Sequence, residues 1–322
     1  MEQLAVTLWM LGAASGPSSA MPALVVEPWQ PRGISSPQFE SHPAFDPLTG
    51  DLYFVRSAPD FTGWRILVSH CGPRGWSAPE APAFAGDGVE ADPFFTNEGR
   101  TLYFISTRST DGVQRSDLDI WRVDRAADGQ WGKPVRLPEP VNSPAQEWFP
   151  RPGPDGWLYF GSGRPGGFGR TDLWRAKEAE DGRWIVENAG PALNSPADEY
   201  EPLPSPDGQT MILMAIDGLY ESHRQHKDNG QSGGQSRGQT GDPSNGKSPG
   251  HPPSEAPGGG DWAPRRKLDP PVNVNGSEIG ALFSPSGRSL LFARDLKGAQ
   301  SGEFFVWHIQ GREDWPPRCP RR

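Results

Sequence analysis

Two pentapeptides, Gly230-Gln231-Ser232-Gly233-Gly234 and Gly234-Gln235-Ser236-Arg237-Gly238, match the Gly-x-Ser-x-Gly elbow that strains a nucleophilic serine into position. That chemistry needs a strand before the serine and a helix after it, and this stretch has the pattern of neither. The matches follow from its Gly, Ser and Gln composition. His223 and His226 stand at the spacing that would bring two imidazoles to one helix face as metal ligands, but no apolar period marks a helix there. No metal site, cofactor motif or catalytic residue is assigned. The remaining chemistry is carboxylate chemistry. Glu40, Glu90, Glu147, Glu199 and Glu278 recur in one local context, whereas an acid–base pair needs two groups in different environments with separated pKa values. Residues repeated in this way are read as structural. Asp119 and Asp172, each just ahead of a strand tryptophan, are read as acceptors of backbone hydrogen bonds at a turn.

The elements that carry these carboxylates are periodic. Glu40-Ser-His-Pro43 recurs as Glu90-Ala-Asp-Pro93, Glu147-Trp-Phe-Pro150, Glu199-Tyr-Glu-Pro202 and, degenerate, Glu278-Ile-Gly-Ala281, at intervals of 50, 57, 52 and 79 residues. A Gly-containing turn follows each, then an apolar triplet: Leu52-Tyr-Phe54, Leu102-Tyr-Phe104, Leu158-Tyr-Phe160, Met211-Ile-Leu213 and Leu290-Leu-Phe292. Apolar runs flanking such turns read as β-hairpins. A third run follows at Arg65, Asp119, Asp172, Gly218 and Phe304, and a fourth begins at Trp76, Trp131, Trp184, Trp262 and Trp315. Ser35, Ala85, Asn142, Asn194 and Asn273 each stand five residues before the next glutamate. Four short strands per unit of about 50 residues are the mark of propeller blades rather than of a helical solenoid.

With its Glu-x-x-Pro, Asp-Gly, Leu-Tyr-Phe, Asp-Leu-Trp and Asn-Ser boxes, the chain resembles the TolB-type, WD40-like β-propeller repeat proteins from about residue 27 to residue 317. The resemblance implies export and a partner in the cell envelope. The fold class is therefore all-β, a propeller over residues 23–317. Five blades are expected, and six if a divergent blade is hidden. A ring must close, since an open edge strand invites aggregation. The segment around Trp29 is expected to supply the outer strand of the last blade, in competition with Trp315.

Composition agrees. Gly and Pro (40 and 37 of 322 residues) come near the level of low-complexity chains, yet 13 Trp, 15 Phe and 5 Tyr supply core aromatics that disordered chains lack. The net charge of −9 gives no footprint for nucleic acid. Cys71 and Cys319 exclude a disulfide scaffold and a Cys-rich zinc site, and leave room for one bridge. An apolar run from Leu4 to Ala14 followed by small residues reads as a secretory signal within residues 1–22 of an exported, periplasmic or extracellular protein, although no Lys or Arg precedes it; the alternative is a partly buried N-terminal segment of a cytoplasmic one. It is too short to span a bilayer, so no transmembrane segment is assigned. Residues 224–260, in which Ala256 is the lone apolar side chain, read as a disordered low-complexity insertion in blade four. A monomer is expected.

In an antiparallel blade the connector into the first strand and the loop between strands two and three lie at one end. That end should gather the five glutamates with Arg56, Arg108, Arg164 and Arg294, as ion pairs between blades around the channel mouth. Trp148 and Phe168, which do not repeat, would then touch a ligand. Arg56, Arg108, Arg164, Trp148 and Phe168 are thus the candidate binding residues, for a protein, peptide or glycan at one face of the ring. The alternative is a carbohydrate-active enzyme, a glycoside hydrolase or lyase, using carboxylates at the channel mouth. The Ser205-Pro-Asp-Gly-Gln-Thr210 turn resembles the Asp box of sialidase-like propellers but lacks its following Trp.

Overall fold

The computed structural model describes residues 25–110, 112, 115–225, 261–296 and 302–319. The expected signal segment and nearly all of the insertion, with His226 and both elbow matches, lie outside the described residues. The rest is a five-bladed β-propeller. Running outward from the axis, blade one is Phe39–Phe45, Leu52–Ser57 and Arg65–Ser69; blade two is Glu90–Thr96, Thr101–Ser106, Asp119–Asp124 and Val135–Arg136. Blade three is Glu147–Pro152, Leu158–Ser162, Asp172–Glu178 and Trp184–Asn188. Blade four is Glu199–Pro204, Thr210–Ala215, Gly218–His223 and Arg266–Lys267. In blade five, Ile279–Phe283, Ser289–Arg294 and Glu303–His308 are completed by Val25–Trp29, which pairs antiparallel with the third strand from Val25↔His308 to Trp29↔Phe304. The N-terminal strand closes the ring, as expected.

The triplets build the core. Strand side chains alternate between faces, and the third residue of each triplet (Phe54, Phe104, Phe160, Leu213, Phe292) is completely buried. The buried clusters lie between neighbouring blades; one unites Ile105 and Ile120 of blade two with Phe160 and Trp174 of blade three. The phased asparagines are ladder rungs. Buried Asn142 accepts from Ile120 N at 2.7 Å and donates to Ile120 O and Leu137 O, and Asn194 and Asn273 treat Leu173 and Leu219 in the same way. Each stitches the blade-to-blade connector to the third strand.

The outer tryptophans correct the sequence reading. Trp184 does open a fourth strand, but Trp131 and Trp262 make only single bridges, to Arg125 and Arg224, ahead of the fourth strands. Trp76 pairs with Cys71 in a small hairpin of its own, and the outer position of blade one is held by a single Val68↔Glu80 bridge. Trp315 loses its place to Trp29 because the chain turns after His308, where Ile309 N donates to Arg288 O. Trp315 packs instead on Phe45, with ring centroids 6.1 Å apart. The tail ends against blade one, where Cys319 is disulfide-bonded to Cys71. Among the described residues no helix is long and apolar enough to cross a membrane.

Candidate binding pocket on the propeller axis

The repeated glutamates are turn clamps. Glu147, wholly buried, accepts from Ser143 N and Ser143 Oγ at 3.1 and 2.6 Å, from Ser162 Oγ at 2.9 Å and from Arg164 Nη2 at 3.0 Å. Glu40 binds Ser36 and Arg56 (Nε–Oε1 2.7 Å) in the same manner, Glu90 binds Gly86 N and Arg108, and Glu278 binds Val274 N and Arg294 (2.9 Å). Each guanidinium also donates to a carbonyl of the incoming connector: Ile34, Phe84, Val141 or Val272. Each lies over the phenylalanine of its own triplet, 4.9 to 5.4 Å from the ring centroid. The ion pairs therefore form within blades rather than between them, because both partners sit at the same end of one hairpin; Glu40 and Arg56 are register partners. Blade four has no arginine after its triplet, and Arg265, just ahead of that blade's fourth strand, reaches Glu199 at 2.6 Å instead. Burial pushes the Glu40 and Glu147 carboxyls up and the Arg164 guanidinium down. Arg56, Arg108 and Arg164 are thus occupied in holding turns.

The axis is formed by a position that the repeat leaves variable. The second residue after each glutamate, namely His42, Asp92, Phe149, Glu201 and Gly280, has positive φ, between 49° and 65°. The ladder of every inner strand shifts register at this point. Such a bulge re-aims its residue; here all five side-chain positions converge on the channel. His42 Nε2 lies 3.3 Å from Glu201 Oε1 and 3.5 Å from Asp92 Oδ1, and its ring stacks on Phe149. Asp92 Oδ2 accepts from Phe149 N, and Glu201 Oε2 accepts from Gly280 N at 2.6 Å. Buried Arg151 donates to the Asp92 carbonyl oxygen and lies over Phe94. Burial, outweighing the opposing pull of His42 and Arg151, raises the Asp92 carboxyl to about 6. Only glycine fits at 280, since a Cβ there would stand 2.5 Å from His42 N.

Above this polar plug, at the clamp end of the channel, a cavity of about 240 Å³ opens to solvent. Its walls are Phe61, Trp64, Trp148, Phe149, Tyr200, Met214 and Ile279, and Glu201 is its charged member. Trp64 and Trp148 meet edge to face at 5.9 Å. Trp148, Tyr200 and Ile279 each directly follow a clamp glutamate, so the clamps aim them at the mouth, while Phe61 and Trp64 come from the second-to-third-strand loop of blade one. Of the candidate binding residues the structure brings Trp148 to this pocket. Phe168 stands apart, 47% exposed and with its backbone tied to Asp172. Asp172 is, as read from sequence, an acceptor of turn N–H groups, whereas Asp119 is held by Arg136 at 2.6 Å. The residues that sequence reasoning missed are His42, Asp92, Arg151, Glu201, Trp64 and Tyr200. For four of them a signal existed: they occupy the two positions after the glutamate, where the repeats disagree. Larger open clefts of about 500 and 670 Å³ lie off the axis, at the ring closure and beside Asp217 and Lys267. Among the described residues no group of three or more His, Cys, Asp or Glu is arranged to hold a metal ion.

No family model matches the sequence, and no curated protein matches it. Solved structures similar to this chain include a protein provisionally assigned as TolB from Agrobacterium tumefaciens, at TM-score 0.44 and 14% identity over 80% of this chain and 70% of that one. A gluconolactonase from Xanthomonas campestris aligns at TM-score 0.43 and 10% identity, over 88% of this chain and 89% of its own. A thermostable family-43 glycoside hydrolase aligns at TM-score 0.46 and 10% identity, over 91% and 99%.

Proposed function

We propose that this chain is a non-catalytic recognition propeller, seating a side chain of a protein or peptide ligand in the axial pocket. The observation that carries the reading is that the blades diverge in their inner strands at the two positions after each clamp glutamate, and there they build an open aromatic cavity. A sugar ring would need several hydrogen-bonding groups around its hydroxyls, and the pocket is almost wholly apolar, which favours a peptide over a glycan. Glycosidases place two carboxylates across a cleft wide enough for the scissile bond. Here Asp92 and Glu201 converge on one imidazole rather than facing each other across a cleft, which counts against the hydrolase alternative. The Cys71–Cys319 bridge together with the apolar leader favours an oxidising compartment outside the cytosol. The test is a pull-down from the cell envelope with the wild-type protein and Trp148→Ala. A partner held by the wild type and lost by the variant supports axial recognition, and one held equally by both places binding elsewhere. Turnover in a polysaccharide panel would revive the enzyme reading.

A further inference from the structure

The chemistry of the pocket selects a class of ligand, and this step rests on the axial reading above. Trp64 and Tyr200 offer ring faces while their polar ends are engaged elsewhere. Trp64 Nε1 donates to Phe61 O at 2.6 Å, and the Tyr200 hydroxyl interacts with Thr171 and Asp198, outside the pocket lining. The charged group of the lining is the Glu201 carboxylate, which only accepts. Its two oxygens spend one contact each, on His42 and on Gly280 N, and a carboxylate has about four acceptor sites, so each oxygen can accept another hydrogen bond. Its charge is also incompletely balanced. Arg151 interacts with Asp92 first and Glu201 second, but its hydrogen bond goes to the Asp92 carbonyl oxygen and its guanidinium leans on Phe94, which lines the cavity at the opposite end of the channel. His42 carries a charge only when protonated. No Lys or Arg lines the pocket. A neutral acceptor would find little to pair with here, and an anion would be repelled by Glu201. A group that brings its own protons or its own positive charge on an apolar stem would satisfy both the aromatic faces and the carboxylate floor.

We infer that the axial pocket is an aromatic cage for an alkylammonium group, presented as a lysine side chain of a peptide, with Trp64, Trp148 and Tyr200 facing the cation and Glu201 beneath it. Ring faces attract such cations through their quadrupoles, most strongly when water is excluded. A cavity of about 240 Å³ accommodates one such side chain and no folded domain, so the partner inserts a single residue.

The experiment compares two probes that differ only by the terminal ammonium, acetyl-Gly-Lys-Gly-amide and acetyl-Gly-norleucine-Gly-amide, titrated into the full-length protein while the Trp64 and Trp148 indole resonances are followed. The lysine probe is expected to bind at least about tenfold more tightly than norleucine, with an advantage that shrinks as salt rises. Glu201→Gln keeps an acceptor for Gly280 N and is expected to erase the difference, whereas Trp148→Ala weakens both probes. If norleucine binds as well as lysine, or Glu201→Gln leaves the ratio unchanged, the cation cage is wrong and the axial site stands. If neither probe moves either indole, both readings fall.

Discussion

Replacing Glu147 or Arg164 by alanine separates a clamp from a ligand contact, and the structure sets the magnitude. Glu147 accepts hydrogen bonds from both the amide and the hydroxyl of Ser143, from Ser162 Oγ and from Arg164. Arg164, with its side chain 10% exposed, donates in turn to the Pro140 and Val141 carbonyls and packs over Phe160 and Trp174. Removing one member of a buried pair leaves the other desolvated without its counter-charge, which costs about 3–5 kcal/mol. Glu147→Ala should be the worse, because Ser143 loses its turn partner as well. At about 2–4 °C per kcal/mol for domains of roughly 150–250 residues, a loss of about 4 kcal/mol lowers Tm by roughly 8–16 °C. The double variant should cost less than the two singles together, with a coupling of about 1–3 kcal/mol. Urea unfolding followed by tryptophan fluorescence gives the cycle, and ligand titration well below each Tm gives affinity. If Arg164→Ala melted within 2 °C of wild type yet lost its ligand, the clamp argument would fail and Arg164 would return to the binding site.

Four further outcomes follow from the same geometry. Asp92 has its carboxyl raised from 3.8 to about 6, so its neutral form is favoured in the fold; stability is full below about 3.8, and about 3 kcal/mol of it is lost as pH rises through 6. The stability of wild type relative to Asp92→Asn, measured by urea unfolding, should therefore fall between pH 4 and pH 7, and a constant difference would count against the burial argument. Reducing the Cys71–Cys319 bridge opens a loop with a sequence separation of 248, for which chain entropy sets an upper value near about 5 kcal/mol; coincident urea midpoints with and without reductant would show that the tail contributes nothing. Gly280→Ala must fit a Cβ 2.5 Å from His42 N and should cost more than about 3 kcal/mol, whereas Gly287→Ala, with its nearest neighbour 3.6 Å away, should cost about 1–2 kcal/mol for its positive φ alone. Equal costs would mean that the blade-five to blade-one contact relaxes. Phe168→Ala should leave both Tm and binding unchanged, in contrast to Trp148→Ala.

The blades were legible because the residues that define them recur. Glutamate, triplet and connector asparagine each meet the same local requirement in successive blades, so spacing alone located the hairpins, the closing strand and the face that carries the pocket. The outer strands were less legible. Trp131 and Trp262 precede their strands, and Trp76 belongs to a separate hairpin, because an edge strand needs only one or two ladder bonds and the sequence imposes no sharper demand. The direction of the ion pairs was also hidden. Spacing places Glu40 and Arg56 at one end of a blade, but only the hairpin register shows that they face each other. The axial cluster was hidden for a different reason. A positive-φ bulge turns the second residue after each glutamate out of the strand's alternation, and four of the five residues there are not glycine. No pattern of alternating apolar residues would predict that His42 and Glu201, 159 positions apart, touch.

That bulge also explains how one repeat can serve two ends. Holding a non-glycine residue at positive φ costs on the order of 1 kcal/mol or more, and this chain does so at His42, Asp92, Phe149 and Glu201. A propeller needs inner strands with short side chains or a filled axis, and a regular strand would point only alternate residues there. The bulge aims consecutive residues differently: in blades three to five the first after the glutamate lines the mouth, and in every blade the second turns to the axis. The clamp ahead of it is rigid and repeated, so blades can vary these two residues without disturbing the turn that positions them. Blade five is the exception that fixes the rest. Glycine at 280 lets its backbone approach His42 and donate to Glu201, at the junction between sequence-distant blades one and five. That seam also carries the Val25–Trp29 strand, the Glu40 N to Gly302 O hydrogen bond and the disulfide-tied tail. Ring closure and the pocket floor therefore share one seam, and a variant that loosens it should lose ligand affinity before it loses its blades, as ligand titration set beside urea unfolding would show.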